Sequence, residues 1–112
     1  MSSIVKTPEP PYYAVIFTVT HTDDIKGYLE KAEEMAALAS TMPGFIGVEA
    51  AEMESGGEVS VTYWRDEESI RHWKANADHL VAQKLGRERW FESYAIRVAK
   101  VERAYDFVRE SE

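Results

Sequence analysis

The sequence contains no cysteine. That absence excludes disulfides, thiolate metal sites and cysteine nucleophiles together. Proline is scarce and displaced: of four, Pro8, Pro10 and Pro11 stand within the first eleven residues, which leaves the body of the chain almost free of breakers. Basic residues are also short, with 13 Lys and Arg against 20 Asp and Glu and a formal charge of -7. Sequence-independent binding to phosphate backbones needs clustered Lys and Arg, so nucleic acid is not an expected partner. No apolar run approaches the ~18 residues of a membrane span, and the N-terminus lacks a charged-then-apolar signal pattern. No membrane association is expected, and the cytoplasm is the expected compartment. Nucleophile-elbow, phosphate-binding glycine loop and dinucleotide fingerprint are missing too, which disfavours hydrolase, kinase and nicotinamide chemistry.

What is there is ordinary for a folded domain: 112 residues, 45% hydrophobic and 29% charged. One domain fits that length, and a second does not. Residues 1–11 are expected to form an extended N-terminal arm, residues 12–107 the domain, and residues 108–112 a C-terminal tail.

From Tyr12 to Thr20 the chain is nearly continuous in aromatic and β-branched residues, as in a strand covered on both faces. Thr22, Asp23 and Asp24 supply a cap and acidic first turn for a helix with Ile25, Leu29, Ala32, Met35, Ala39 and Met42 on its apolar stripe, stopped by Pro43-Gly44. Phe45 to Met53, a Ser55-Gly56-Gly57 turn and Glu58 to Trp64 predict a β-hairpin. Asp66 opens a second helix with Ile70, Trp73, Ala77, Leu80 and Val81 as its stripe, ending at Gly86. Ser93 to Phe107 predicts a long last strand. The order β-α-β-β-α-β is that of an α+β, ferredoxin-like fold: a four-stranded antiparallel sheet with both helices on one face. Because the first strand is apolar on both faces, the bare side of the sheet is expected to pack against a second copy, giving a homodimer.

Aromatic and polar side chains concentrate at the junction from Tyr63-Trp64 through His79. On one continuous helix His72, Asn76, His79 and Gln83 fall within an arc of about 60°, beside the apolar stripe, where they can line a pocket wall. The alternative is a polar helix border satisfied by water. His72 and His79 are separated by roughly 10 Å of helical rise, so they cannot share one zinc ion, and no spacing ties His21 to either.

The strand ending Tyr63-Trp64, the Asp66 after it, Ile70, His72 and Trp73, then His79, together with Pro43-Gly44-Phe45, resemble the antibiotic biosynthesis monooxygenase (ABM) domain family over roughly Tyr12 to Phe107. The resemblance implies a dimeric α+β barrel with a pocket between sheet and helices in each protomer. It implies oxidation of phenols or quinols without a cofactor, while other members degrade haem. Where haem-degrading members carry an iron-ligating His this chain has Gln83, and the first strand has no Asn, so haem is not expected. The resemblance thus implies a monooxygenase acting on a small aromatic or hydrophobic substrate, with His79 or His72 as base, since an unperturbed imidazole titrates near about 6.5. Asn76 would hold a substrate oxygen, and Trp64, Trp73, Tyr63 and Gln83 would contact the ring. A non-catalytic protein that binds a hydrophobic ligand in the same pocket is the alternative, and a haem protein the third reading.

Overall fold

Strand β1 (Tyr12–His21) is hydrogen-bonded along both edges, which is why it tolerates apolar residues at successive positions. In the computed structural model, which describes residues 4–76 and 82–109, helix α1 (Tyr28–Ala39), the hairpin β2 (Phe45–Glu52) and β3 (Glu58–Trp64), helix α2 (Glu67–Ala75) and strand β4 (Phe91–Val101) come next in the chain. The sheet order is β2-β3-β1-β4, with every neighbouring pair antiparallel. This is the ferredoxin-like α+β arrangement that the element order predicts.

Alternation divides the sheet. Val15, Phe17, Val19 and His21 share the helix side with Trp64, Glu58, Phe91, Tyr94, Ile96 and Val98, whereas Ala14, Ile16 and Thr18 lie on the other side with Tyr63, Val61 and Val59. Met35, Leu38 and Ala39 of α1 and Ile70 and Trp73 of α2 close over Val15, Phe45 and Trp64, so the densest core sits at the Trp64 end.

Among the boundaries that differ from the expected ones, three differ for a local reason. Helix α1 starts at Tyr28 and not at Ile25, because the capping side chains are engaged in the loop: Thr22 Oγ1 donates to the Arg89 carbonyl at 2.6 Å, and the Lys26 amide donates to Asp24 at 3.4 Å. Ile25 falls in the loop before the helix, and both it and Leu29, within the helix, are exposed. Helix α2 ends at Ala75, where Asn76 turns to an extended ψ of 134°, so the continuous helix to Gly86 does not form. The chain is helical again over residues 82–85 and runs into a π-helical turn, Gly86–Trp90, that leads into β4. Strand β4 stops at Val101 instead of Phe107 because its partner Tyr12 is the first residue of β1, preceded by Pro10 and Pro11, and beyond that register there is nothing to pair with.

Ahead of β1 the chain docks on the sheet through Val5. The Val5 amide donates to Glu49 Oε2 at 3.0 Å on the side of the sheet away from the helices. The other oxygen of Glu49 accepts from the Tyr63 hydroxyl at 2.8 Å, and the Tyr63 ring meets Tyr12 edge-on at 6.0 Å. Burial first, then donation to Glu49, pushes the Tyr63 phenol up to about 12. An unfolded tyrosine ionises near about 10. The neutral phenol's contribution to stability is therefore complete below that pH and is lost as the pH rises towards about 12. Melting temperature is expected to fall across this window, and Tyr63→Phe to flatten the fall. An unaltered alkaline limb in the variant would contradict the assignment.

Candidate functional site

The strand-to-helix junction that the sequence singles out is built around Trp64, which is 0% exposed. Its indole donates to Thr62 Oγ1 at 2.9 Å, stacks on Trp73 at 6.1 Å with 27° between planes, and meets Phe45 edge-on at 5.4 Å. Asp66 caps α2 by accepting from both the amide and the hydroxyl of Ser69, each at 2.8 Å, and these bonds hold its carboxyl below the usual range. The cap fixes where α2 starts and so sets Trp73 against Trp64. This is a packed core.

The expected site residues are consequently dispersed. Trp64 and Trp73 come together, but inside that core. Tyr63 points to the opposite side of the sheet, towards Glu49 and Tyr12. The His72 side chain is 65% exposed on the outer face of α2, 3.9 Å from Glu68. Asn76 is the half-buried C-terminal cap of α2, and Gln83 is half-buried in the next helical stretch. The arc that joined His72, Asn76 and Gln83 required an unbroken helix, and the break at Asn76 removes it. His79 lies outside the described residues.

A second group forms at the far end of β1, where sequence reasoning placed nothing but a lone histidine. His21 Nε2 stands 3.3 Å from Glu58 Oε1, and the Tyr28 hydroxyl donates to the same oxygen. The His21 ring packs against Tyr28 at 4.6 Å and Phe91 at 6.0 Å. Burial and the hydrogen bond to Glu58 push the Tyr28 phenol far up, so it stays neutral. Nδ1 of His21 is buried and has no hydrogen-bond partner among the described residues, an omission that typically costs about 1–3 kcal/mol. Residues remote in sequence assemble this group. β1 contributes His21, β3 Glu58, the start of α1 Tyr28 and the start of β4 Phe91. The π-helical turn is pinned there by the Thr22 amide donating to the Trp90 carbonyl at 2.8 Å and the Trp90 indole donating to the Lys26 carbonyl at 2.9 Å.

Phe91 continues this group into an aromatic floor. Phe17, Phe91 and Tyr94 form a triangle with ring centroids 5.7–5.8 Å apart. Along β4 the floor extends to Ile96 and Val98, 43% and 51% exposed on the helix side of the sheet. A flat apolar ring can lie on such a strip, with the imidazole and carboxylate at its end. A shallow cleft of about 290 Å³ beside Trp90 is lined chiefly by Lys26, Glu30, Lys31, Glu34 and Arg89, a mixture of charges that does not select an apolar ring. Among the described residues no three His, Asp or Glu side chains cluster as metal ligands, and no helix is long and apolar enough to cross a membrane.

Known proteins share this architecture. The family described as Antibiotic biosynthesis monooxygenase matches residues 11–85. The chain is 48% identical over 103 residues to the uncharacterized protein YqjZ of Bacillus subtilis, a match covering 92% of this chain and 90% of that protein. It is 33% identical over 92 residues to the Jasmonate monooxygenase ABM of Pyricularia oryzae, a match covering 80% of this chain but only 43% of that longer protein. The crystal structure of SnoaB, a cofactor-independent oxygenase from Streptomyces nogalater, matches with a TM-score of 0.72 over 85% of this chain and 97% of that one. At 13% identity that likeness is one of fold.

Proposed function

Because the chain belongs to the antibiotic biosynthesis monooxygenase family, we propose that it is a cytoplasmic, cofactor-independent monooxygenase that oxidises a phenolic or quinol-like small aromatic molecule with dioxygen. The observation that carries this reading is the floor of Phe17, Phe91 and Tyr94 with exposed Ile96 and Val98 beyond it. An electron-rich phenolate or enolate reduces dioxygen directly. The protein's share of the work is then to remove a proton, hold the anion against apolar walls and keep water away. For an anthrone-type substrate the balance is simple: a CH₂ carbon loses two hydrogens and gains one oxygen as a carbonyl, and the second oxygen leaves as water.

An oxygen electrode tests the reading. Purified protein treated with chelator is expected to consume dioxygen with at least one anthrone- or quinol-type compound, saturably and above the spontaneous rate. Binding without uptake across such compounds would favour the non-catalytic ligand-binding alternative.

The same reading includes a second copy. The side of the sheet bearing Ile16, Val59 and Val61 carries no helix, and after β4 the chain exposes Tyr105 at 87% and Phe107 at 76%. These exposed aromatic side chains support an association face there. Sedimentation at micromolar concentration is expected to give twice the monomer mass of 12.8 kDa. A monomer there would remove the barrel from the proposal.

A further inference from the structure

His21 Nδ1 is the buried side-chain polar atom that the fold leaves without a partner among the described residues. The contact of Nε2 with Glu58 determines what that nitrogen can do. A carboxylate only accepts, so Glu58 places the hydrogen of the neutral imidazole on Nε2 and leaves Nδ1 with an open lone pair. Tyr28 donates to the same carboxylate oxygen and limits its rotation. The titratable groups facing the ring are thus Glu58 from β3 and Tyr28 from α1, whereas β4 presents the apolar Phe91. Phe91 in turn belongs to the floor formed with Phe17 and Tyr94, so the His21 ring and that floor share one aromatic neighbour.

We propose that His21 is the general base of this protein, taking the hydroxyl proton of a phenol bound on Phe17, Phe91 and Tyr94, with Glu58 and Tyr28 as its positioning residues. The inference rests on the oxygenase reading for its place in turnover, but proton acceptance itself needs no oxidant. The phenol O–H bond breaks, its electron pair stays on the phenolate oxygen, and the proton forms an N–H bond at Nδ1. The imidazolium so made lies against the Glu58 carboxylate, which stabilises the charge that the transfer creates. The same pairing explains why the base belongs on β1. Its ring is held by three elements of the fold, while His72 stands in solvent.

The test uses para-nitrophenol, a probe that is not oxidised and whose absorbance separates phenol from phenolate. At a pH where the free probe is neutral, the wild-type protein is expected to bind it with the phenolate spectrum. His21→Gln is expected to bind it as the neutral phenol and to lower the rate of oxygen uptake with an oxidisable phenol by about 10²-fold or more, the scale of a positioned base. Glu58→Gln should reduce the phenolate fraction while preserving binding, and it replaces the first variant should His21→Gln fail to fold. A phenolate signal that persists in His21→Gln, a wild type that binds no probe, or oxygen uptake lost in His79→Ala but kept in His21→Gln would each overturn the proposal. A His21-dependent phenolate spectrum in a protein that consumes no dioxygen would uphold the base and sink only the oxygenase reading.

Discussion

Trp64→Ala is expected to lower folding stability by about 3–5 kcal/mol, the range for removing a buried tryptophan and leaving its cavity. The side chain is fully buried, so the whole ring is lost from packed surroundings. Trp73 would lose the stack that holds α2 on the sheet, Phe45 its edge contact, and Thr62 Oγ1 a donor. Domains of this size are stable by only about 5–15 kcal/mol, so the variant should unfold at a much lower urea concentration. Trp64→Phe keeps most of the volume and should cost far less. The pair separates two roles for this residue. A ring that forms a substrate wall would, when changed to Phe, leave stability intact and reduce oxygen uptake, whereas a core ring does the reverse. A loss below about 1 kcal/mol in Trp64→Ala would show that this cluster is not the packed centre of the domain.

Gly44→Ala is expected to cost about 3 kcal/mol or more, although the change adds one methyl group at a turn. Gly44 has φ +84°, a conformation that costs an L-residue about 1–2 kcal/mol. The added Cβ would also stand 2.0 Å from Ser69 Oγ and 2.6 Å from Ser69 Cβ. The hydroxyl can rotate away. The Cβ is part of α2, so the first turn of that helix would have to shift and disturb the Asp66 cap. Overpacking of this kind typically adds about 1–3 kcal/mol. Chemical denaturation measures the loss, and Ser69→Gly in the same background should recover part of it. A Gly44→Ala variant within about 0.5 kcal/mol of wild type would mean that the turn and helix are not in contact. The glycine of Pro43-Gly44-Phe45 therefore acts through α2: it lets the helix bearing Trp73 approach the sheet.

The sheet was legible because its signals are local. A strand apolar on both faces, a glycine turn between alternating runs, and Trp64 before Asp66 each sit within a few residues, and the observed β1, β2 and β3 bounds match them closely. The helix ends were less so. Thr22 and Asp24 carry the side chains of a helix cap but bond within the loop and to the Arg89 carbonyl, a partner that the sequence does not reveal. The apolar spacing after Trp73 continues past Asn76, with no glycine or proline to mark the break in α2. Alternation likewise runs on to Phe107, yet pairing ends where β1 does. The candidate site suffered most from this. Reasoning along one helix collected His72, Asn76 and Gln83, which the break at Asn76 separates, together with His79, which lies outside the described residues. A second group draws His21, Tyr28, Glu58 and Phe91 from four separate elements. One signal was available: a histidine at the end of an apolar strand, on the same face as Val19 and Phe17, is placed at the rim of the core.

The oxygenase reading meets its most direct test in the source of the oxygen atom in the product. Wild-type protein, freed of metals by chelation, would be incubated with an anthrone- or quinol-type substrate under isotopically labelled dioxygen, and the product analysed by mass spectrometry. The expected result is one labelled atom per product molecule, formed faster than in protein-free buffer and strongly slowed in His21→Gln. Product carrying oxygen only from water, or labelled product formed no faster with the protein than without it, would contradict the proposed function.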